Sequence, residues 1–386
     1  MGTEPISTQK GIMSLSRRRL LRSLGLGAAA LPCASGVGRF LSLDLEASTS
    51  PLLLNGTGNA EGPSEGVRAA MREAMSLTNR FPDVEYDELV SFIAEYHRVP
   101  PSQVLIGCGS TEILRSAVSA LLGSGKRLVM ARPTFGAIDR YARAAGVEVV
   151  QVPLDRGFAH DLEAMRAATN AATGLVYICN PNNPTGTLTF RKDLETFIGR
   201  LPSTACVIVD EAYHHFVGPS PSYASFVDRP INDPRVIVTR TFSKAYALAG
   251  LRIGYGISAV KTVELLRRYQ LWENINGIAV RAALAALSDN DGLETTIKHN
   301  NDARQEFENQ AVARMLRPLS SHTNFVMLDT GHPTSEVLQH FEEHGILIGS
   351  PYPTLETFVR VSLGRSDDMR RFWQVWDLKM FHPEAH

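Results

Sequence analysis

Three apolar runs of the sequence each end in a cluster of polar side chains. Residues 175–179, 207–209 and 236–238 are apolar and largely β-branched, which predicts buried strands of a parallel sheet. The polar clusters follow directly, so they would lie at the carboxyl ends of these strands, where open α/β sheets bind their ligands. The runs therefore predict one ligand site at one edge of a sheet.

The segments around these runs alternate between helix-like and strand-like patterns. Apolar spacing near 3.6 residues predicts helices at 86–96 and 110–122, the second opened by a capping residue at Ser110. Short apolar segments predict strands at 104–106, 127–131, 147–152, 175–179, 205–209 and 235–239. The alternation predicts an α/β fold class, with a large domain whose mostly parallel sheet is covered by helices on both faces.

The pattern changes after about residue 269, where helical segments are followed by short strands at 324–328 and 358–362. This change predicts a smaller α+β domain. The predicted boundaries are an export signal or extension at 1–40, an N-terminal segment at 41–65, a large domain at 66–265 and a small domain at 266–386. A chain of 386 residues with 44% hydrophobic side chains can bury cores of this size.

Charge and cysteine content argue against two kinds of partner. Lys and Arg number 39 against 40 Asp and Glu, so the near-neutral chain gives no indication of a nucleic-acid partner. The four cysteines form no Cys-x-x-Cys pair, and Cys179 and Cys206 lie in strand-like runs. We therefore predict no metal site.

The first 40 residues resemble a twin-arginine export signal. Arg17, Arg18 and Arg19 precede a weakly apolar stretch, 24–31, which is too short to span a bilayer as a helix. We predict a periplasmic or otherwise exported protein without stable membrane insertion, which cell fractionation would test. A basic extension that exports nothing is the alternative, and it would leave the protein cytoplasmic.

Lys244 stands in the polar segment that follows the run 236–238. Thr241 and Ser243 precede it, and Arg252 follows eight residues later. A lysine can form a Schiff base with an aldehyde, whereas hydroxyls and an arginine suit a phosphate group. These residue types predict a cofactor that carries both groups, although a solvated basic turn is the alternative for this segment taken alone.

The other two runs deliver complementary groups. Asp210 and Tyr213 follow the run 207–209, and Asn183 follows the run 175–179 in a turn rich in side-chain amides. Pyridoxal phosphate needs such a set, because its aldehyde requires a lysine, its ring nitrogen a carboxylate, and its phenolic oxygen hydrogen-bond donors. We therefore predict pyridoxal 5'-phosphate as the cofactor and Lys244, Asp210 and Tyr213 as catalytic residues.

The cofactor's phosphate is expected at the helix opening formed by Gly109, Ser110 and Thr111. Backbone N–H groups and the helix dipole favour an anion there, and small residues permit close approach. The hydroxyls of the segment 241–243 and the Arg252 guanidinium would complete the phosphate site.

The order and spacing of Asn183, Asp210, Tyr213 and Lys244 resemble those of fold-type I pyridoxal-phosphate-dependent aminotransferases, most of all the histidinol-phosphate aminotransferase branch. The resemblance extends from about residue 55 to about residue 369. It implies a transaminase that moves an α-amino group between an amino acid and a 2-oxo acid. It also implies a homodimer, because enzymes with this fold generally complete each active site from two subunits.

The resemblance also implies roles for further residues. Phe135 matches the aromatic residue that stacks on the cofactor ring. Arg360 matches the arginine that binds the substrate's α-carboxylate, and bidentate geometry suits that task. Asn324 is assigned to the same cleft.

Two departures from the family pattern bear on the partner subunit and the substrate. Phe81 stands where the family usually has a tyrosine that reaches a neighbouring subunit's cofactor phosphate. Gly349 stands where histidinol-phosphate enzymes commonly carry an arginine for the substrate phosphate, and Tyr352 and Leu355 follow in the neighbouring loop. Loss of that cation removes a charge-assisted contact, which predicts an unphosphorylated amino acid, with an apolar or aromatic side chain.

Three alternatives stay open. Another basic residue could replace the missing arginine, in which case the enzyme is a histidinol-phosphate aminotransferase proper. A decarboxylase or lyase could use the same scaffold, because the cofactor stabilises carbanions whichever bond breaks. A regulatory protein without turnover is the third alternative, but residues 1–54 are too few for the fused DNA-binding domain of such proteins.

Overall fold

The computed structural model describes residues 50–228, 233–271 and 273–378. The predicted export signal at 1–40 lies outside the described residues, so export stays a prediction. Within these ranges, no helix combines the length and the apolar character needed to cross a bilayer. The same ranges hold no group of three or more His, Cys, Asp or Glu side chains arranged for a metal ion.

The strands are numbered along the chain. They are β1 (Leu52–Leu54), β2 (Val104–Gly107), β3 (Arg127–Arg132), β4 (Glu148–Pro153), β5 (Thr173–Cys179), β6 (Cys206–Asp210), β7 (Val236–Thr241), β8 (Gly254–Ile257), β9 (Arg317–Pro318), β10 (Phe325–Asp329), β11 (Ile346–Ile348) and β12 (Phe358–Ser362).

The helices are numbered in the same way. They are α1 (Glu65–Ala74), α2 (Asp83–His97), α3 (Ser110–Leu121), α4 (Ala137–Ala144), α5 (Leu162–Ala167), α6 (Arg191–Gly199), α7 (Val260–Arg267), α8 (Gly277–Ser288), α9 (Asn290–Ala313), α10 (Thr334–Glu343) and α11 (Ser366–Trp376).

The large sheet has seven strands in the order β2-β8-β7-β6-β5-β3-β4. Strand β8 pairs antiparallel with β2 and β7, and the other neighbours pair parallel. The predicted mostly parallel sheet is therefore confirmed, whereas β8 was not anticipated. Its Gly254 has a packing reason, since a Cβ there would lie 2.5 Å from the backbone nitrogen of Ser110 and 2.8 Å from the carbonyl oxygen of Arg240.

Alternation along β5 explains how helices cover both faces of the sheet. Val176 and Ile178 join one core with residues of α1, α2, α5, α6 and α8. Leu175 and Tyr177 point to the opposite face and join a second core with residues of α3, α4 and α7. The predicted two-faced helical cover is confirmed.

The carboxyl-terminal part contains two small sheets. Strands β12, β10 and β9 form an antiparallel sheet, and β1 from the N-terminal segment pairs in parallel with β11. Helices α9, α10 and α11 cover a separate core here. Helix α8 belongs instead to the core of the large sheet, although it follows residue 265. The domain boundaries themselves stay a prediction.

Candidate active site

The central polar side chains of the site lie at the ends of three neighbouring parallel strands. Strands β7, β6 and β5 lie side by side, and Lys244, Asp210 and Asn183 stand at or just beyond their carboxyl ends. Parallel pairing brings these ends to one edge of the sheet. The three predicted clusters therefore meet there, as the sequence indicated.

Lys244 lies at the centre of this edge. Its Nζ donates to the carbonyl oxygen of Thr57 at 2.9 Å and also contacts the Thr57 hydroxyl, while the ring centroid of Tyr213 lies 5.3 Å away. Burial and, to a smaller extent, the charge of Arg360 lower the pKa of Lys244 to about 8, against the opposing effect of Asp210. An amine with such a pKa is partly neutral near pH 7–8, so it can act as a nucleophile or a base.

Asp210 is buried at the end of β6, with 2% of its surface exposed. Its Oδ2 accepts a hydrogen bond from the Tyr177 hydroxyl at 2.8 Å, and its Oδ1 accepts one from the Ala212 N–H at 3.3 Å. Burial raises the pKa of Asp210, and the hydrogen bond from Tyr177 is the largest opposing effect. A cation beside this carboxylate would favour its ionised form.

Tyr213 and Asn183 form one hydrogen-bonded chain with Arg360. The Asn183 Nδ2 donates to the Tyr213 hydroxyl at 3.1 Å, and the Asn183 Oδ1 accepts from Arg360 Nη1 at 2.8 Å. Burial raises the pKa of the Tyr213 phenol. A phenol and an amide are thus held together at the sheet edge, where both can serve as hydrogen-bond donors.

The predicted phosphate site assembles around the start of α3. The helix begins at Ser110 with Gly109 as its N-cap, in place of the predicted capping residue Ser110, and no described side chain caps it. Gly109 has a φ of 72°, and a Cβ on it would collide with the Arg252 guanidinium. Thr111 Oγ1 accepts a hydrogen bond from Arg252 at 3.4 Å. The uncapped N–H groups and the guanidinium make an anion site.

Hydroxyls from the end of β7 reach the same place. Thr241 Oγ1 donates to Ser243 Oγ at 2.9 Å, and Arg252 donates to Ser243 Oγ at 3.4 Å. Glu112, which sequence reasoning did not single out, accepts from the Cys108 N–H at 2.7 Å. That buried carboxylate orients the loop that leads into α3.

Arg360 occupies the middle of β12 and points toward the sheet edge. Its Nη2 donates to the carbonyl oxygen of Asn55 at 2.8 Å, and its guanidinium lies 5.3 Å from the ring centroid of Phe325. Within the described part of the chain, its buried Nε has no hydrogen-bond partner, and neither has the buried Oδ1 of Asn324. Both predicted substrate residues therefore keep hydrogen-bonding capacity that a ligand can use.

Phe135 is on the loop that follows β3, directly after Thr134. The loop is fixed to the amide turn, because Thr134 Oγ1 donates to Asn182 Oδ1 at 2.7 Å and Asn182 Nδ2 donates to the Pro133 carbonyl oxygen at 3.2 Å. Phe135 itself is partly buried. Its stacking on a cofactor ring stays a prediction.

Two residues at the centre of the site were missed by the sequence reasoning. Thr57 contacts Lys244, and its only local signal is its place in the Asn- and Gly-rich run 55–59 after an apolar segment. Tyr177 was counted only as an apolar strand residue. Its hydroxyl in an otherwise apolar strand was the signal that could have identified it.

Comparison with known proteins identifies the family. The sequence model of "Aminotransferase class I and II" matches residues 53–375. Histidinol-phosphate aminotransferase from Caldicellulosiruptor saccharolyticus is 34% identical over 316 residues, which are 81% of this chain and 87% of that protein. Histidinol-phosphate aminotransferase 1 from Nitrosococcus oceani is 35% identical over 321 residues, 82% of this chain and 85% of that protein.

Solved structures agree with this result. A putative histidinol-phosphate aminotransferase from Erwinia carotovora atroseptica superposes with a TM-score of 0.79 at 32% identity, covering 84% of this chain and 94% of that chain. Histidinol-phosphate aminotransferase from Sinorhizobium meliloti, in complex with pyridoxal-5'-phosphate, gives 0.78 at 29% identity, covering 83% and 88%. The chain therefore belongs to the class I and II aminotransferases.

Proposed function

We propose that this protein is a pyridoxal-phosphate-dependent aminotransferase that takes the amino group from an unphosphorylated amino acid and passes it to a 2-oxo acid. One observation carries the proposal. Lys244 and Asp210 stand at the carboxyl ends of the paired parallel strands β7 and β6, so both lie at the same edge of the sheet. The lysine that would attach the cofactor covalently therefore lies next to the carboxylate that would contact its ring nitrogen.

The described residues fit pyridoxal phosphate at two separated points. Asp210 is a buried carboxylate with a raised pKa, which a protonated pyridine nitrogen would lower by supplying a cation. The uncapped start of α3 beside Arg252 suits the phosphate dianion. The pyridoxal-5'-phosphate in the Sinorhizobium meliloti relative supports the same cofactor.

The bound cofactor supplies an aldehyde that links covalently to amines and a ring that withdraws electrons from the substrate's α-carbon. Lys244 would hold the cofactor through Nζ and, as a free amine, would accept the proton from the substrate's α-carbon. Asp210 would keep the proton on the ring nitrogen, and Tyr213 and Asn183 would donate to the phenolic oxygen. Arg360 would hold the substrate's α-carboxylate, which orients the α-hydrogen toward the base.

The environment of Gly349 supports an unphosphorylated substrate. A Cβ on Gly349 would lie 2.7 Å from the carbonyl oxygen of Arg360 and 3.0 Å from its Cβ, so a side chain there would displace the strand that carries Arg360. Tyr352, which follows in the next loop, is partly buried, and burial raises the pKa of its phenol while Arg360 opposes the shift. The group beside Arg360 at this point is thus the phenol of Tyr352 rather than a second cation.

Aromatic side chains continue along the same face of β12. Ser362, Arg360 and Phe358 alternate with the buried Val359 and Val361, so these three share the face toward the site. The Phe358 ring lies 5.4 Å from the ring of Phe158. This pair favours an apolar or aromatic substrate side chain, whereas the names of the relatives favour histidinol phosphate as the second candidate.

Comparison of kcat/KM for phenylalanine and histidinol phosphate, with one 2-oxo acid as acceptor, tests the substrate. We expect phenylalanine to be preferred by about tenfold to a hundredfold, because a missing charge-assisted hydrogen bond is worth roughly 1.5–3 kcal/mol. A clear advantage for histidinol phosphate would overturn this preference. Single-turnover spectroscopy is the control for reaction type, since only transamination leaves a pyridoxamine form together with a free 2-oxo acid.

A homodimer is the proposed assembly, and an exposed apolar face supports it. Three apolar side chains are largely exposed here: Phe81 by 69%, Val84 by 78% and Leu271 by 63%. A cleft of about 490 Å³ is lined by Leu271 and by the segment that follows Phe81. We expect light scattering to give twice the chain mass of 42.3 kDa.

Leu271→Asp should weaken the dimer, whereas Met315→Asp, at an 80% exposed position outside this face, should not. An active monomer at working concentration would contradict the proposal.

A further inference from the structure

The N-terminal segment Asn55–Asn59, called the strap below, lies across the active site. Its carbonyl oxygens accept hydrogen bonds from side chains of the site. Arg360 Nη2 donates to the first carbonyl at 2.8 Å, Ser362 Oγ donates to the second, and Asn324 Nδ2 donates to the fourth at 2.7 Å. The strap is therefore fixed by the residues that face the substrate.

Thr57, at the middle of the strap, makes two contacts with one amine. Its carbonyl oxygen accepts from Lys244 Nζ at 2.9 Å, and its hydroxyl oxygen contacts the same nitrogen. Asn324 Nδ2 donates to the Thr57 carbonyl at 3.2 Å, and Asn59 Nδ2 donates to the Lys244 carbonyl at 3.2 Å. Side chain and backbone of Lys244 are thus both tied to the strap.

The Thr57 hydroxyl also interacts with Tyr213. Its hydrogen bond lowers the pKa of the Tyr213 phenol against the stronger effect of burial. An oxygen that accepts from the amine while donating its own hydrogen to a phenol has both hydrogen-bonding roles satisfied.

A neutral lysine amine has two N–H donors and one lone pair. When both donors are held by the two oxygens of Thr57, rotation about the terminal carbon–nitrogen bond is restricted and the lone pair keeps one direction. A base that removes a proton needs this lone pair aligned with the carbon–hydrogen bond. After proton transfer, the third N–H of the ammonium lies in that direction and can return the proton.

We propose that Thr57 is a positioning residue for the proton-transferring lysine, acting by holding both N–H donors of the free Lys244 amine. The proposal rests on the proposed aminotransferase function. The proton passes from the substrate's α-carbon to Lys244 Nζ, and Thr57 itself neither gains nor loses one.

Two variants test the role of the hydroxyl. Thr57→Val is nearly isosteric and removes it, whereas Thr57→Ser keeps it. We expect Thr57→Val to lower kcat by up to about tenfold, the upper end of the effect of losing one neutral hydrogen bond, with little change in KM. The primary kinetic isotope effect with α-deuterated phenylalanine should increase, because proton transfer becomes slower. Thr57→Ser should restore both values to near those of the native enzyme.

A chemical measurement gives a readout that does not depend on turnover. The holoenzyme is converted to its pyridoxamine form, and acetylation of Lys244 by acetic anhydride is followed against pH by mass spectrometry. The Thr57 oxygen stabilises the ammonium, so Thr57→Val should lower the pKa of Lys244 below its native value, and Thr57→Ser should not. The exposed Lys261 amine serves as the internal standard.

The outcomes separate this proposal from the proposed function. An unchanged Lys244 acetylation profile and isotope effect in Thr57→Val would overturn the positioning role, as would a Thr57→Ser enzyme as impaired as Thr57→Val. Borohydride labelling of the native holoenzyme checks the site independently. If the label is on Lys244 but the acetylation profile and isotope effect of Thr57→Val are unchanged, only the Thr57 proposal is overturned. A label on another lysine overturns the site assignment.

Discussion

Replacement of Lys244 by alanine is expected to lower kcat by about 10⁴-fold or more. General acid–base catalysis alone contributes roughly 10²–10⁴-fold, and the variant also loses the covalent attachment of the cofactor. Single-turnover formation of the 2-oxo acid, followed by mass spectrometry, measures the effect.

Lys261→Ala is the matched control for this experiment. Lys261 is exposed in helix α7, at the surface of the large-sheet part, so its loss should leave kcat unchanged. Borohydride reduction of the native enzyme should place the cofactor label on the peptide that contains Lys244. Substantial turnover by Lys244→Ala would remove this residue from the mechanism.

Asp210→Asn is expected to retain the cofactor and to lose activity by about 10²-fold. A neutral amide cannot hold the proton on the ring nitrogen, and a hydrogen bond to a charged group contributes roughly 1.5–3 kcal/mol. Cofactor content measured by absorbance and kcat measured on the same sample separate binding from catalysis.

Tyr177→Phe is a milder variant with which Asp210→Asn can be compared. It removes only the 2.8 Å hydrogen bond to Asp210 Oδ2 and leaves the carboxylate in place. Because that hydrogen bond opposes the burial that raises the pKa of Asp210, its loss should raise this pKa further. We expect a loss of about tenfold at most. Near-normal turnover of Asp210→Asn would contradict a role for the carboxylate.

The strand-end residues could be predicted from the sequence because each stands next to its own strand in the chain. Asn183, Asp210 and Lys244 follow apolar runs directly, and parallel pairing then brings the three ends together. Local sequence was sufficient here, since parallel pairing places all three carboxyl ends at the same edge of the sheet.

Thr57 could not be predicted in this way. It lies 187 positions from Lys244, and no periodic pattern connects the two. Strands β1 and β11 were not predicted for a related reason, because each has three residues and their pairing joins distant parts of the chain. Strand β8 contains two glycines, which are poor strand formers, and the close approach of α3 and β7 explains Gly254.

The pairing of β1 with β11 sets a limit on how much of the amino terminus can be removed. Leu52–Leu54 are hydrogen-bonded in register with Ile346–Ile348, and the strap begins at the next residue. A protease that trimmed the chain as far as Ser50 would leave this attachment intact. Cleavage a few residues further on would remove strand β1, loosen the strap and release the partner of Lys244. The tolerance of the chain to trimming at its amino terminus and the chemistry of its lysine therefore depend on the same short stretch of backbone.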